Sequence, residues 1–176
     1  MPIKMENNVS SNILKVQDQE IEIGSQDWAD YVLSTDPFEG DFGSGTILED
    51  KIVKARSTKK LCHDCYSILE PGTFTRNMVI ADEGQIFKSK FCQECCIEQG
   101  FGEFLYEGNV ELDTDEAWEA ACTWNETTKE WDEPKELWIL RDERRAENVK
   151  FLEEKLGGRY FDEYDQVKYD IMLSKK

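Results

Sequence analysis

Two short runs near the start of the chain, residues 13–16 and 20–23, read as strands around Gln17-Asp18-Gln19. Ser25 then stands where it can cap a short helix carrying Trp28, Tyr31 and Val32. Residues 35–45 hold Pro37, Gly40, Gly43 and Gly45 and predict a loop, and residues 46–55 look extended. Glu70-Pro71-Gly72 predicts a turn. Residues 73–80 and 85–91 are extended runs either side of Asp82-Glu83-Gly84, the pattern of a hairpin. A helix is expected from residue 92 to Gln99, stopping at Gly100. Another is expected to open at Asp113-Thr114-Asp115-Glu116 and reach about Trp124, its acids suited to the positive end. Residues 136–140 fit a strand or the first turn of a longer helix equally well. From Asp142 to Leu156, Ala146, Val149, Leu152 and Leu156 share one helical face, and Gly157-Gly158 ends the helix. Residues 1–11 are polar and expected to be loose. The aromatic tail beyond Gly158 is expected to pack on the body.

Within this pattern lies Cys62-His63-Asp64-Cys65, followed after the predicted hairpin by Cys92-Gln93-Glu94-Cys95. Two such C-x-x-C pairs predict a zinc site, because each tight turn offers two thiolates and the metal takes four in a tetrahedron. At the start of a helix, free amides and the positive helix end favour the thiolate form of Cys92 and Cys95. Four sulfur ligands leave no open position for water, so the zinc is expected to be structural. In small zinc peptides such binding contributes on the order of 10–16 kcal/mol to folding. A deaminase would need a Glu where Asp64 stands and a Pro where Phe91 stands. Cys96 is expected to be a buried neighbour, His63 an exposed residue of the knuckle, and Cys122 a small core residue of a helix.

Ala55-Arg56, the first C-x-x-C, Ile68-x-x-Pro71-Gly72, the hairpin, the second C-x-x-C and the glycine- and aromatic-rich stretch Gly100-Phe-Gly-Glu-Phe-Leu-Tyr resemble a short cysteine module of uncharacterised bacteriophage and prophage proteins. The resemblance covers about residues 54–108. It implies a treble-clef zinc module and a phage-like origin, and it carries no shared function. The expected fold is therefore α+β, one main domain with an inserted, treble-clef-like lobe built on four cysteines. Its parts are an acidic segment at 1–55, the zinc module at 56–108, and an acidic then mixed-charge part at 109–176.

Charge sharpens this picture. The chain has 176 residues, 38 acids against 21 bases, and a net charge of −17. Residues 1–50 carry −9, residues 51–100 carry +2, residues 101–140 carry −10 and the remainder is neutral. Such a chain is not a whole-surface ligand for nucleic acid or anionic membrane. There is no signal core or long apolar run, so a cytoplasmic protein is expected (the host cytoplasm for a phage product). Aromatics are interleaved with the acids, which suggests a surface that docks on a basic protein. Candidate contacts are Asp27, Trp28, Asp30, Asp36, Glu39 and Asp41, then Asp113, Asp115, Glu116 and Glu119. Trp118, Trp124 and Trp131 lie in the second acidic stretch. The expected partner is a host nucleic-acid-handling or defence enzyme, inhibited by displayed negative charge that imitates DNA.

An alternative uses Lys51, Lys54, Arg56, Lys59 and Lys60, a run without an acid, together with Arg76, Lys88 and Lys90 of the hairpin, to contact nucleic acid. The cluster Arg141, Arg144 and Arg145 sits among acids and reads first as a salt-bridged helix face. A single histidine and the absence of phosphate-loop, esterase and zincin motifs point away from an enzyme.

Overall fold

Both early strands form. β1 (Ile13–Val16) and β2 (Gln19–Glu22) pair antiparallel, with Val16 opposite Gln19. Gln17 and Asp18 both take positive φ, as the two central residues of a tight hairpin turn must to match strand twist. The structure is a computed structural model that describes residues 12–40, 45–58, 60–112 and 114–157.

Gly24 leads into α1 (Gln26–Leu33). At φ +89°, and with the Phe74 ring 2.0 Å from where a Cβ would stand, this position admits only glycine. Ser25 caps α1, its Oγ accepting the Trp28 amide at 3.2 Å. A three-stranded antiparallel sheet follows in the order β3 (Thr46–Lys54), β4 (Phe74–Asp82), β5 (Gln85–Phe91). Glu83 and Gly84 repeat the positive-φ turn of the first hairpin.

α2 runs from Gln93 to Phe101. It passes through Gly100 and ends at Gly102, slightly beyond the expected stop. Gly100 instead lets α1 approach: a Cβ there would lie 3.2 Å from Val32. A 3₁₀ turn (Glu107–Asn109) leads to α3 (Asp115–Ala121), capped by Thr114. This helix is shorter than expected. Trp124 belongs to β6 (Thr123–Asn125), which pairs with β7 (Glu130–Asp132). Cys122 is not a core residue of a helix: it is the half-buried C-cap of α3, its thiol on the Trp118 carbonyl at 3.3 Å. Residues 136–140 open the long helix α4 (Leu137–Lys155). Gly157 ends it at φ +75°. Ala146 is exposed, while Leu152 and Leu156 are buried as expected.

The fold is thus α+β. Its main core is continuous across the three sequence segments. Leu14, Val16 and Ile21 of the first hairpin, Trp28 and Val32 of α1, Met78, Ile80 and Phe91 of the sheet, Phe101 of α2 and Leu137 of α4 share one buried cluster with the paired cysteines. A smaller cluster of Leu61, Leu152 and Leu156 packs the end of α4 against the knuckle. The aromatic tail expected to pack on the body lies outside the described residues, as do residues 1–11.

Candidate metal centre

The first C-x-x-C sits in a tight loop between a bridge at Leu61 and Ile68. The Cys62 amide donates to Ser67 O at 2.8 Å, and the Tyr66 amide returns to Cys62 O at 3.0 Å. Tyr66 adopts φ +57°, a left-handed conformation unusual for so large a side chain. The second pair begins α2. Cys92 is the N-cap, its carbonyl accepting the Cys96 amide at 2.9 Å, and Cys95 lies in the first turn. The hairpin of β4 and β5 brings the two pairs together, and the His63 amide fastens the knuckle to Lys90 O at 2.7 Å.

All four sulfurs of Cys62, Cys65, Cys92 and Cys95 lie within 4.8 Å of one another, and all four residues are buried. Cys65 and Cys92 Sγ are 3.6 Å apart. A zinc–sulfur tetrahedron with ~2.3 Å bonds has edges of about 3.8 Å, so the spacing suits a metal ion bound by all four. The Cys92 amide also donates to Cys62 Sγ at 3.3 Å.

Crowding gives these thiols opposing tendencies. Hydrogen bonds from Cys62, Cys92 and Cys95 hold Cys65 far below the usual thiol range. Hydrogen bonds shared with Cys62 and Cys65, together with burial, push Cys92 and Cys95 well above it. Four sulfurs this close cannot all carry charge by themselves, and a divalent cation makes that possible. Cys96 points away, its thiol 3.7 Å from Phe91 O, and burial raises its pKa to about 12. It is the buried neighbour expected. His63 is exposed and stacks edge-on to Phe38 and Phe91.

Sequence reasoning missed the layer around the sulfurs, which comes from α4. Arg144 Nη2 donates to Cys95 Sγ at 3.7 Å. Burial works against the charge of Arg144, but the sulfurs of Cys95 and Cys65 outweigh it and raise its pKa above the usual value. Asn148, one turn later, donates to Cys65 O at 2.9 Å and to Ser67 Oγ at 3.0 Å. With that bond accepted, the Ser67 hydroxyl can donate to Cys65 Sγ, 3.1 Å away. Arg145 lies over the Tyr66 ring and donates to its hydroxyl at 2.9 Å. Arg141 pairs with Glu98 of α2 at 3.2 Å. The sequence marks Arg141, Arg144 and Arg145 as a salt-bridged helix face, which Arg141 bears out with Glu98 and Asp142, but it gives no sign that Arg144 reaches the cysteines.

The acidic residues are dispersed by comparison. Asp27 and Asp30 are exposed on α1, and Asp115, Glu116 and Glu119 are exposed on α3. Glu39 is exposed. Asp36 accepts the Phe38 and Gly40 amides at 2.9 and 2.8 Å, so its carboxylate shapes its own turn. Trp28 is fully buried in the core and is no surface anchor, correcting that expectation. Asp41 and Asp113 lie outside the described residues.

Among the bases, Lys51 and Lys54 are on β3, and Arg56 and Lys60 follow it. Lys59 lies outside the described residues. Lys88 and Lys90 are on β5. Burial, and next the charge of Lys60, pull the Lys90 pKa below its ordinary value, with Glu49 opposing and Lys51 adding to the effect. Arg76 is 1 % exposed and cannot meet nucleic acid. It makes a two-pronged pair with Asp50 at 2.8 and 2.7 Å and donates to the carbonyls of Val32 and Thr35. No helix among the described residues is long and apolar enough to cross a membrane. Comparison with protein-family models, curated proteins and solved structures finds no match to this chain.

Proposed function

We propose that this chain is a non-enzymatic protein-binding protein, stapled by one structural Zn²⁺ in a treble-clef-like site, that docks on a basic, nucleic-acid-handling partner and blocks it. Zinc is favoured over other metals by the donor set, four thiolates at tetrahedral spacing. The order of knuckle, hairpin and ligand-bearing helix supports the treble-clef reading. A closed set of four sulfurs gives the metal a structural role. The resemblance of residues 54–108 to phage cysteine modules favours a phage-type accessory protein.

One observation carries the docking reading. Trp124 and Trp131 face each other across the β6–β7 hairpin, 5.5 Å apart and edge-on, yet remain 45 % and 63 % exposed. Exposed acids, Glu126, Glu130, Asp132 and Glu133, surround them in sequence. Cross-strand stacking accounts for part of their presence, since it steadies a short hairpin. It does not account for leaving so much indole in water. Tryptophan is a favoured interface anchor, and an acidic rim selects a basic partner.

The test is affinity capture from host lysate with the full tagged chain, after nuclease treatment, beside Trp131→Ser. We expect a basic nucleic-acid-handling protein bound in stoichiometric amount, lost at high salt and lost with Trp131→Ser. Capture of no basic protein once nuclease has removed nucleic acid, or capture that ignores the substitution, overturns the docking surface.

A further inference from the structure

Among the described residues, one recess is lined by several basic side chains. A cleft of about 470 Å³ opens along β3 and β4 next to the cysteine knuckle. Lys51, Lys54, Arg56, Lys60 and Lys90 line it together with Asn77, and none of the described residues lining it is acidic. Asn77 Oδ1 accepts Lys90 Nζ at 2.8 Å and so orients it. Lys51 also meets Glu49 at 3.1 Å, and Lys54 lies over the Phe74 ring at 5.3 Å.

The cleft is tied to the metal centre. Lys60 stands two residues before Cys62, and Lys90 stands two residues before Cys92. Drawing the two C-x-x-C pairs onto one ion draws these two lysines to one wall. Backbone bonds fix both: Lys60 O accepts the Leu69 amide at 2.9 Å, and Lys90 O accepts the His63 amide at 2.7 Å. Like charges gathered in a concavity repel one another, and a bound anion relieves that repulsion. Concave walls also focus the local positive field against a negative whole.

We infer that this cleft binds adjacent phosphate groups, as borne by a nucleotide or by the backbone of single-stranded nucleic acid. It has the volume for a few phosphates. None of the described residues lining it is aromatic, so bases would not be stacked and binding would be indifferent to sequence. The inference stands on different residues from the Trp124–Trp131 hairpin and does not depend on it.

The test titrates the full zinc-loaded chain with inorganic tripolyphosphate and with a fluorescein-labelled single-stranded 20-mer, following heat and anisotropy at low and moderate salt. The variant is Lys60→Gln with Lys90→Gln, and the control is Lys150→Gln on α4. We expect binding that weakens at least tenfold in the double variant and is unchanged in the control. For the oligonucleotide, the salt slope should fall by about 1.4, or ~0.7 for each phosphate contact removed. If both probes bind and compete, the ligand is a nucleic-acid backbone. If only tripolyphosphate binds, it is a free nucleotide or polyphosphate. Binding of neither probe at low salt, or equal binding by the double variant, overturns the site. Unchanged circular dichroism of the double variant separates a lost site from a lost fold.

Discussion

Arg76 shows how a single side chain can be misjudged from composition and yet be explained by geometry. In the chain it is one more base on a hairpin. In the fold it is buried, with its charge met by Asp50 and its remaining donors spent on the carbonyls of Val32, in α1, and Thr35, just past it, and on Gln99. Those carbonyls close the C-terminal end of α1, where a cation is favourable. Arg76→Met would fill similar space but strand the Asp50 carboxylate and take a donor from the Thr35 carbonyl, while Val32 O keeps the Thr35 hydroxyl at 2.8 Å. Removing one partner of a buried pair costs roughly 3–5 kcal/mol, so urea unfolding of this variant should show a loss of that order. A loss under about 0.5 kcal/mol, within the range of ordinary surface changes, would mean that Asp50 is solvated. Trp28 makes the complementary point: acids on either side in sequence marked it as surface, while helical period turned it inward to 0 % exposure.

Elements whose signals are local were legible. The β4–β5 hairpin follows from two extended runs about Glu83-Gly84, α1 from its Ser25 cap, and the end of α4 from Gly157. The four candidate metal ligands were legible too, because C-x-x-C spacing is itself local. What was not legible depends on distant chain. Gly100 looks like a helix stop, yet it serves a helix–helix approach that only α1 can reveal. Trp124 continues the apolar spacing of α3, but its pairing with Trp131 draws it into a strand. Arg144 reads from sequence as part of a salt-bridged helix face, and its contact with the cysteines depends on where α4 packs. Here the geometry has a measurable consequence. Arg144 donates to Cys95 Sγ and offsets the excess negative charge of a four-thiolate site. Loss of such outer partners typically lowers metal affinity about 10–100-fold. Arg144→Ala should show a decrease of that size in competition with a chromophoric chelator, while Lys150→Ala on the same helix should not. Equal affinities would reduce Arg144 to packing.

At the scale of the molecule, the cysteines are not an appended clasp. They share a core with both hairpins that precede α2 and with the start of α4. An ion joining the two C-x-x-C turns would also seat α4 and hold Lys60 and Lys90 on one wall. The acidic stretches, net −9 and −10, send apolar residues such as Leu14, Trp28, Phe101 and Leu137 into this core, while most of their described acids stand on exposed positions. In space the described chain thus has a sulfur-centred core, a cleft lined by lysines next to the knuckle, and acids dispersed over exposed positions.

Metal content of the full chain, read by native mass spectrometry and repeated for Cys62→Ser and Cys95→Ser, bears most directly on this arrangement. One zinc per chain in the parent is expected, with neither variant retaining it, and a chelator should shift the parent to an expanded charge-state distribution. A parent that stays folded and metal-free after purification in the presence of zinc would contradict it.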